Sequence, residues 1–248
     1  MLNQEFDQLE AKIKQNLAEI NAAISQAAKV SGRTGDEITL LAISKRQPVK
    51  VIEAAYQCGQ RAFGESYVQE ALEKMERFSE FDDIRWDLVG HVQSRKARQV
   101  AENFHAVHSL DSMKLANLLN QYRPVVMPPL EVFLEVNVGD ESSKAGFPMR
   151  NSEDWEVLVQ VVRQILGLER LKLVGLMSMP PLFVDPEQSR PYFAKLRQLK
   201  DYLNDQVKEA TLTQLSAGTS ADFEVAIQEG ATVVRIGERL LGPRNYTD

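Results

Sequence analysis

The sequence predicts an α/β fold, a (β/α)8 barrel of eight parallel strands ringed by helices. Three observations lead there. Eight short apolar runs alternate with helical patterns, and near-continuous Val/Ile/Leu runs describe parallel strands covered on both faces. Eight such units in 248 residues match the barrel in count and length. The first run ends Ile43-Ser44-Lys45-Arg46, without the glycine-rich phosphate loop that a doubly wound open sheet carries after its first strand.

Residues 3–29 space Phe6, Leu9, Ile13, Leu17, Ile20, Ala23 and Ile24 at helical intervals, and Gly32 supplies the stop signal. The strands follow at Ile38–Ser44, Arg61–Gly64, Arg85–Gly90, Ala106–Leu110, Leu130–Asn137, Leu171–Met177, Leu212–Ser216 and Val233–Gly237. Helices fall near 48–58, 66–79, 94–103, 112–122, 153–166, 187–207 and 220–229. Only Glu238 to Asp248 remain after the eighth strand, so the N-terminal helix is expected to fill that gap in the outer ring. No linker rich in Pro, Gly or Ser divides the chain. Met179-Pro180-Pro181 reads as a tight loop and Pro124–Pro129 as a connector, giving one domain over 1–248 with helix 3–29 packed on it. No sequence repeat of fixed period is present.

A net charge of −6, from 35 acidic and 29 basic residues, argues against a general nucleic-acid binder. The short basic stretch Ser94-Arg95-Lys96-Ala97-Arg98 reads first as a solvated helix face, with a nearby small anion as the alternative. No apolar run approaches the roughly 20 residues of a membrane span. The opening MLNQEFDQLEAKIKQ is too acidic for a signal or transit peptide, and one cysteine, Cys58, builds neither a disulfide nor a metal cage. These features lead to the expectation of a cytoplasmic protein without a metal site. The absence of an exposed apolar stripe leads to the expectation of a monomer.

Barrel chemistry gathers at the C-terminal strand ends. Those positions carry Lys45, Glu65, His91, Ser109, Asn137, Ser178, Ser216 and Arg235. Lys45 ends a run buried on both faces. It is either a lysine reaching out to solvent or one held in a partly desolvated mouth, where a lowered pKa frees its amine to form an imine with an aldehyde. Ser216-Ala217-Gly218-Thr219-Ser220 and Arg235-Ile236-Gly237-Glu238 form the loops after strands seven and eight, where barrels commonly bind phosphate. Gly218 and Gly237 are expected to let backbone N–H groups come close. The Thr219 and Ser220 hydroxyls, together with a helix start, favour an anion. The plainer reading is a helix cap at Thr219 or Ser220. Arg235 faces either a phosphate or ring nitrogen, or an interior carboxylate such as Glu65. His91 is an acid/base candidate or a structural hydrogen-bonding group, Lys144 reads as exposed, and Met177 and Met179 read as packing.

Ser44-Lys45, Phe63-Gly64-Glu65, Gly90-His91-Val92-Gln93, Asn137-Val138-Gly139 with Ser143-Lys144-Ala145-Gly146-Phe147, Gly175-Leu176-Met177 and Val234-Arg235-Ile236-Gly237 come in this order. Together they resemble the pyridoxal phosphate homeostasis protein family from about Thr39 to Gly242. The resemblance implies a fold-type III pyridoxal 5′-phosphate (PLP) barrel, similar to the N-terminal domain of alanine racemase. It implies a Schiff base on Lys45, Arg235 near the pyridine nitrogen, and phosphate on Thr219, Ser220, Gly237 and neighbouring N–H groups. It also implies a non-catalytic role in vitamin B6, amino-acid and keto-acid balance, with PLP-dependent apo-enzymes as candidate partners. Ser66, Arg95, Arg46-Gln47-Pro48, Ala217, Thr219 and Glu238 depart from the family pattern. At Glu238 a carboxylate facing phosphate would repel it, so only the backbone N–H is expected to face inward.

Two further readings stand beside the PLP carrier. One is a PLP-dependent racemase-like enzyme, disfavoured because an arginine at the ring nitrogen weakens the electron sink and because the barrel consumes nearly the whole chain. The other is a sugar-phosphate enzyme using Lys45 for an aldolase-like step.

Overall fold

The structure is a computed structural model that describes residues 2–139, 141 and 145–244. Its strands are β1 (Thr39–Ile43), β2 (Ala62–Glu65), β3 (Arg85–Leu88), β4 (Ala106–Leu110), β5 (Leu130–Asn137), β6 (Phe147–Pro148), β7 (Leu171–Met177), β8 (Gln214–Thr219) and β9 (Val233–Ile236). All pair in parallel, in the order β4-β3-β2-β1-β9-β8-β7-β5, and β4 pairs with β5 to close an eight-stranded (β/α)8 barrel. The two-residue β6 adds only to the end of β5.

The helices are α1 (Leu2–Val30), α2 (Val49–Gln57), α3 (Val68–Arg77), α4 (Ala97–Asn103), α5 (Met113–Tyr122), α6 (Ser152–Leu166), α7 (Arg190–Gln206), α8 (Phe223–Gln228) and α9 (Glu238–Leu241). Their apolar faces and the outward faces of the strands form one continuous core. The barrel interior holds a second, smaller cluster of Leu41, Ile43, Ala106, Phe133, Val174, Met177 and Val233. With α9 only four residues long, α1 lies beside α2, α8 and α9. It buries Ile13, Ile20, Ile24, Ala27 and Ala28 there, and each buried isoleucine contributes about 1.5–3 kcal/mol. Asn16 Nδ2 donates to Leu240 O at 2.9 Å, tying α1 to the final turn.

β8, the strand that carries Gly218, differs from expectation at both ends. β8 begins at Gln214 rather than Leu212 because Asn204 of α7 claims the Leu212 backbone, with both bonds at 2.9 Å. It continues past Ser216 to Thr219 through a register shift: Ser216 lies opposite Val233, and Thr219 opposite Arg235. Three steps along β8 thus match two along β9, a bulge with Gly218 at φ +90°. The following helix starts at Phe223, not Ser220, and runs for six residues. The helix terminus expected to favour an anion at Ser220 is therefore not there, and neither Thr219 nor Ser220 caps a helix. No helix among the described residues is long and apolar enough to cross a membrane.

Candidate functional site

Strand side chains alternate faces with a period of two. The residues two places beyond the interior apolar positions therefore also point inward, one layer nearer the mouth. Ile43 is followed by Lys45, Ala106 by His108, Phe133 by Glu135, and Val233 by Arg235. Lys45, Glu135 and Arg235 line one cavity of about 1200 Å³ at the C-terminal mouth, together with Asn137, Thr219, Ser220, Gly237 and Glu238. β1 and β9 are neighbours in the sheet, so Lys45 and the Arg235–Glu238 segment leave adjacent staves.

Lys45 is half-buried, and burial, then the Arg244 and Arg46 charges, pull its pKa below the usual lysine range against Glu65 and Glu70. Arg46, the next residue, sits at φ 59°, a left-handed conformation rare for a side chain of its size. The turn is held from below. Buried Lys74 Nζ donates to Ser44 O at 2.7 Å and pairs with Glu65 at 2.7 Å and Glu70 at 2.6 Å. Glu65, fully buried, also accepts from Ser44 Oγ at 2.7 Å. Burial pushes its carboxyl up, and Lys74 and Ser44 offset this only in part. Glu65 is therefore the partner of Lys74, and the interior ion pair considered for Arg235 does not form.

Arg235 instead donates Nη1 to Ser216 O at 2.7 Å and Ser216 Oγ at 2.8 Å, and Nη2 to Ser178 O at 3.0 Å. Burial pulls its pKa down to about 10, so it remains a cation at neutral pH. Behind Ser216 lies a buried polar chain that the sequence did not reveal. His108 Nδ1 meets Ser216 Oγ at 2.8 Å, and His108 Nε2 meets Asp87 Oδ2 at 3.1 Å. Burial lowers the His108 pKa. For Asp87, His108 and Arg85 outweigh the opposing effect of burial and hold the carboxyl below its usual range. A neutral His108 donating from Nε2 to Asp87 accepts at Nδ1 from Ser216, whose oxygen accepts from Arg235. All four groups are satisfied by a single direction of donation.

Several expected residues take other roles. Ser216 is fully buried, outside the cavity lining and beneath Arg235. A Cβ on Gly218 would come within 2.7 Å of Ala226 Cβ and 2.8 Å of Phe223 Cα, so this glycine serves the bulge and the packing of α8 rather than a ligand. Thr219 lines the cavity, but its N–H and Oγ1 both donate to Asp222 Oδ1, at 2.7 and 3.0 Å, and are not free donors. The Asn137 amide closes its own loop, bonding the Glu141 backbone at 2.8 and 3.3 Å. His91 pairs with Asp111 at 3.0 Å while exposed at the mouth. Of the basic stretch, Lys96 alone lines the cavity. Ser143 and Lys144 lie outside the described residues.

Arg244 was missed. It follows the Gly242-Pro243 turn, which Gln47 Nε2 ties to the loop after β1 through Gly242 O at 2.9 Å. Its Nη2 fills the space a Cβ on Gly237 would enter, at 2.7 Å. Its Nε is buried without a hydrogen-bond partner, 3.9 Å from Glu238 Oε1. The Glu238 carboxylate thus faces a cation, and a buried donor beside Gly237 stands ready for an anion. Lys45, Lys96, Arg235, Arg239 and Arg244 make much of this chamber cationic.

The family described as alanine racemase, N-terminal domain, matches residues 11–245. A pyridoxal phosphate homeostasis protein of Vibrio alginolyticus is 41% identical over 240 residues, 96% of this chain and all of the relative. One from Pseudomonas aeruginosa is 42% identical over 94% of this chain and 96% of its own. Among solved structures, PipY of Synechococcus elongatus PCC7942 with PLP bound superposes with a TM-score of 0.79 at 32% identity, covering 93% of this chain and 100% of that one.

Proposed function

Because this chain belongs to the pyridoxal phosphate homeostasis protein family, we propose that it binds PLP as a Schiff base on Lys45. It would thereby take part in vitamin B6, amino-acid and keto-acid balance without efficient turnover. The observation that carries this reading is the convergence of a partly desolvated amine, Lys45, and a buried guanidinium, Arg235, on one chamber from adjacent strands.

The residues fit the cofactor. PLP, once bound, supplies an aldehyde to an amine and an electron-drawing ring. Lys45 supplies the amine, and its lowered pKa favours the neutral, nucleophilic form. Arg244 Nε is a buried donor without a hydrogen-bond partner, the kind of group that an anion stabilises. With Ser220 and the Gly237–Glu238 backbone it would hold the phosphate. Arg235 would hold the ring nitrogen, and Ser216 would hold Arg235.

The arginine also supports the carrier over the racemase reading. A permanent cation beside a ring nitrogen disfavours its protonation and so weakens the electron sink that racemisation needs. The protein would act as a monomer in the cytoplasm, with PLP-dependent apo-enzymes as recipients of the cofactor. The test is the visible absorption band of a protein-bound imine after saturation with PLP. It is expected in the native chain and absent in Lys45→Ala, and its absence from the native chain would overturn the Schiff-base reading. Steady conversion of alanine at ordinary enzyme rates, on the order of 10 per second, would overturn the carrier reading alone.

A further inference from the structure

The interior of a (β/α)8 barrel is ordinarily filled by layers of branched apolar side chains. Here the layer at the N-terminal ends of the strands is charged. Arg85 lies two residues before Asp87, Glu131 two before Phe133 and Lys172 two before Val174, on the inward faces of β3, β5 and β7. Lys172 Nζ meets Glu131 Oε1 at 3.1 Å, and Arg85 Nη2 meets Glu131 Oε2 at 2.8 Å. Arg85 Nε donates to Asp87 Oδ1 at 2.8 Å. Asp87 is also the last member of the chain that leads from Arg235 through Ser216 and His108. One run of polar contacts therefore joins the two ends of the barrel. Asp87 lies opposite Ala106 in the sheet, so Arg85 sits four residues below the level of His108, about 13 Å along the strand direction.

We propose that Arg85, at the end of the barrel remote from the chamber, is a positioning residue for Arg235. As the counter-charge of Asp87 it holds His108 neutral, and the neutral imidazole orients the Ser216 hydroxyl that Arg235 binds. The consequence for the cofactor rests on the preceding reading, whereas the relay itself does not.

Asp87 is buried, and a carboxylate at that depth requires a counter-charge. Two groups can supply it: the Arg85 guanidinium, which is permanent, or an imidazolium at His108. Phe133 of β5 stacks on the His108 ring at 4.2 Å between centroids, and Ser216 of β8 meets Nδ1. The charged groups that act on the ring are Asp87 and Arg85 of β3 and Arg235 of β9. Burial, Arg235 and Arg85 oppose a second proton there, and Asp87 favours it.

Without Arg85 the balance reverses. Asp87 would keep its charge by drawing a second proton onto the imidazole, the more basic of the two groups. Nδ1 would then donate to the Ser216 oxygen instead of accepting from it. The Ser216 O–H would lose its acceptor, and an imidazolium and a guanidinium would compete for one hydroxyl oxygen. Arg235 would retain its backbone acceptors at Ser216 and Ser178 and lose the hydroxyl that fixes its aim.

Nitrogen NMR of the imidazole rings in the cofactor-free chain tests the relay, with His108→Gln identifying the His108 signals. At about pH 6, just below the ordinary histidine value, native His108 is expected to carry one proton, on Nε2. In Arg85→Met it should carry two, and Arg85→Lys, which returns the charge, should restore the native spectrum. Arg85→Gln, which keeps a donor for Asp87 without the charge, carries the test if Arg85→Met does not fold. A charged layer that serves stability alone would lower the melting temperature of Arg85→Met and leave His108 singly protonated, and that result would overturn the proposal. So would a doubly protonated His108 in the native chain, or an Arg85→Lys spectrum like that of Arg85→Met. At the same pH, Arg85→Met should bind PLP about tenfold more weakly, the loss of one charge-assisted contact. Equal PLP affinity in a variant whose His108 has gained its proton would overturn the positioning role. A native chain that forms no imine would fail the preceding reading and leave the nitrogen spectra to decide the relay.

Discussion

The Arg235 guanidinium lies 2.8 Å from the Ser216 hydroxyl, and that hydroxyl lies 2.8 Å from His108 Nδ1. The residue expected to face the cofactor ring is thus the mouth-facing end of a buried hydrogen-bond chain that runs down to Asp87 inside the barrel. A lone arginine at the strand end would be free to swing. This one is aimed by groups from three other strands.

Ser216→Ala removes the hydroxyl while leaving the Ser216 carbonyl bond to Arg235. It strands a buried acceptor on His108 Nδ1, and such a loss costs about 1–3 kcal/mol. At about 2–4 °C per kcal/mol for a chain of this size, thermal unfolding of the cofactor-free protein should shift down by several degrees. An unchanged melting temperature would show that the chain carries no load.

Acid should weaken the fold through His108. An unfolded histidine takes up a proton below about pH 6.5, whereas burial lowers the folded His108 value. Between those two values the unfolded state binds more protons, so stability falls as pH drops through that window. Asp87, depressed in the fold, adds a second loss below about pH 4. Glu65 and Glu135, both raised, act in the opposite sense above their unfolded value of about 4.3. The His108 share therefore shows best as a difference. Denaturant unfolding at pH 7 and at pH 5.5 should cost the native chain more stability than it costs His108→Gln.

Lys74→Met should be among the costliest single changes outside the apolar core. It leaves Glu65 charged and buried with only Ser44 as partner, a loss of about 3–5 kcal/mol. It also frees the Ser44 carbonyl beneath Lys45. The double change Lys74→Met with Glu65→Leu should recover much of that loss, and denaturant midpoints of the three variants check it.

The barrel was legible because buried parallel strands write near-continuous apolar runs. Lys45 stood out because it ends one of them. The interior polar chain was not legible. His108 in Ala106-Val107-His108-Ser109-Leu110 looks like an ordinary alternating position, and its partners lie 21 and 108 residues away. Glu135 in Leu130–Asn137 reads equally well as outward-facing until the register fixes the inward face. The Gly218 turn carried a real signal, a positive φ, but that signal belongs to a strand bulge and to helix packing. Arg244 was hidden by its position after the last strand, and only the fold-back at Gly242, with φ +83°, returns it to the mouth.

The central claim is that Lys45 is the amine that holds the cofactor. Borohydride reduction of PLP-saturated protein, followed by peptide mass mapping, tests it directly. The account predicts the reduced cofactor on the peptide that carries Lys45 and nowhere else in stoichiometric amount. Stoichiometric label on another lysine of the mouth, such as Lys96, or no covalent label at all, would contradict it.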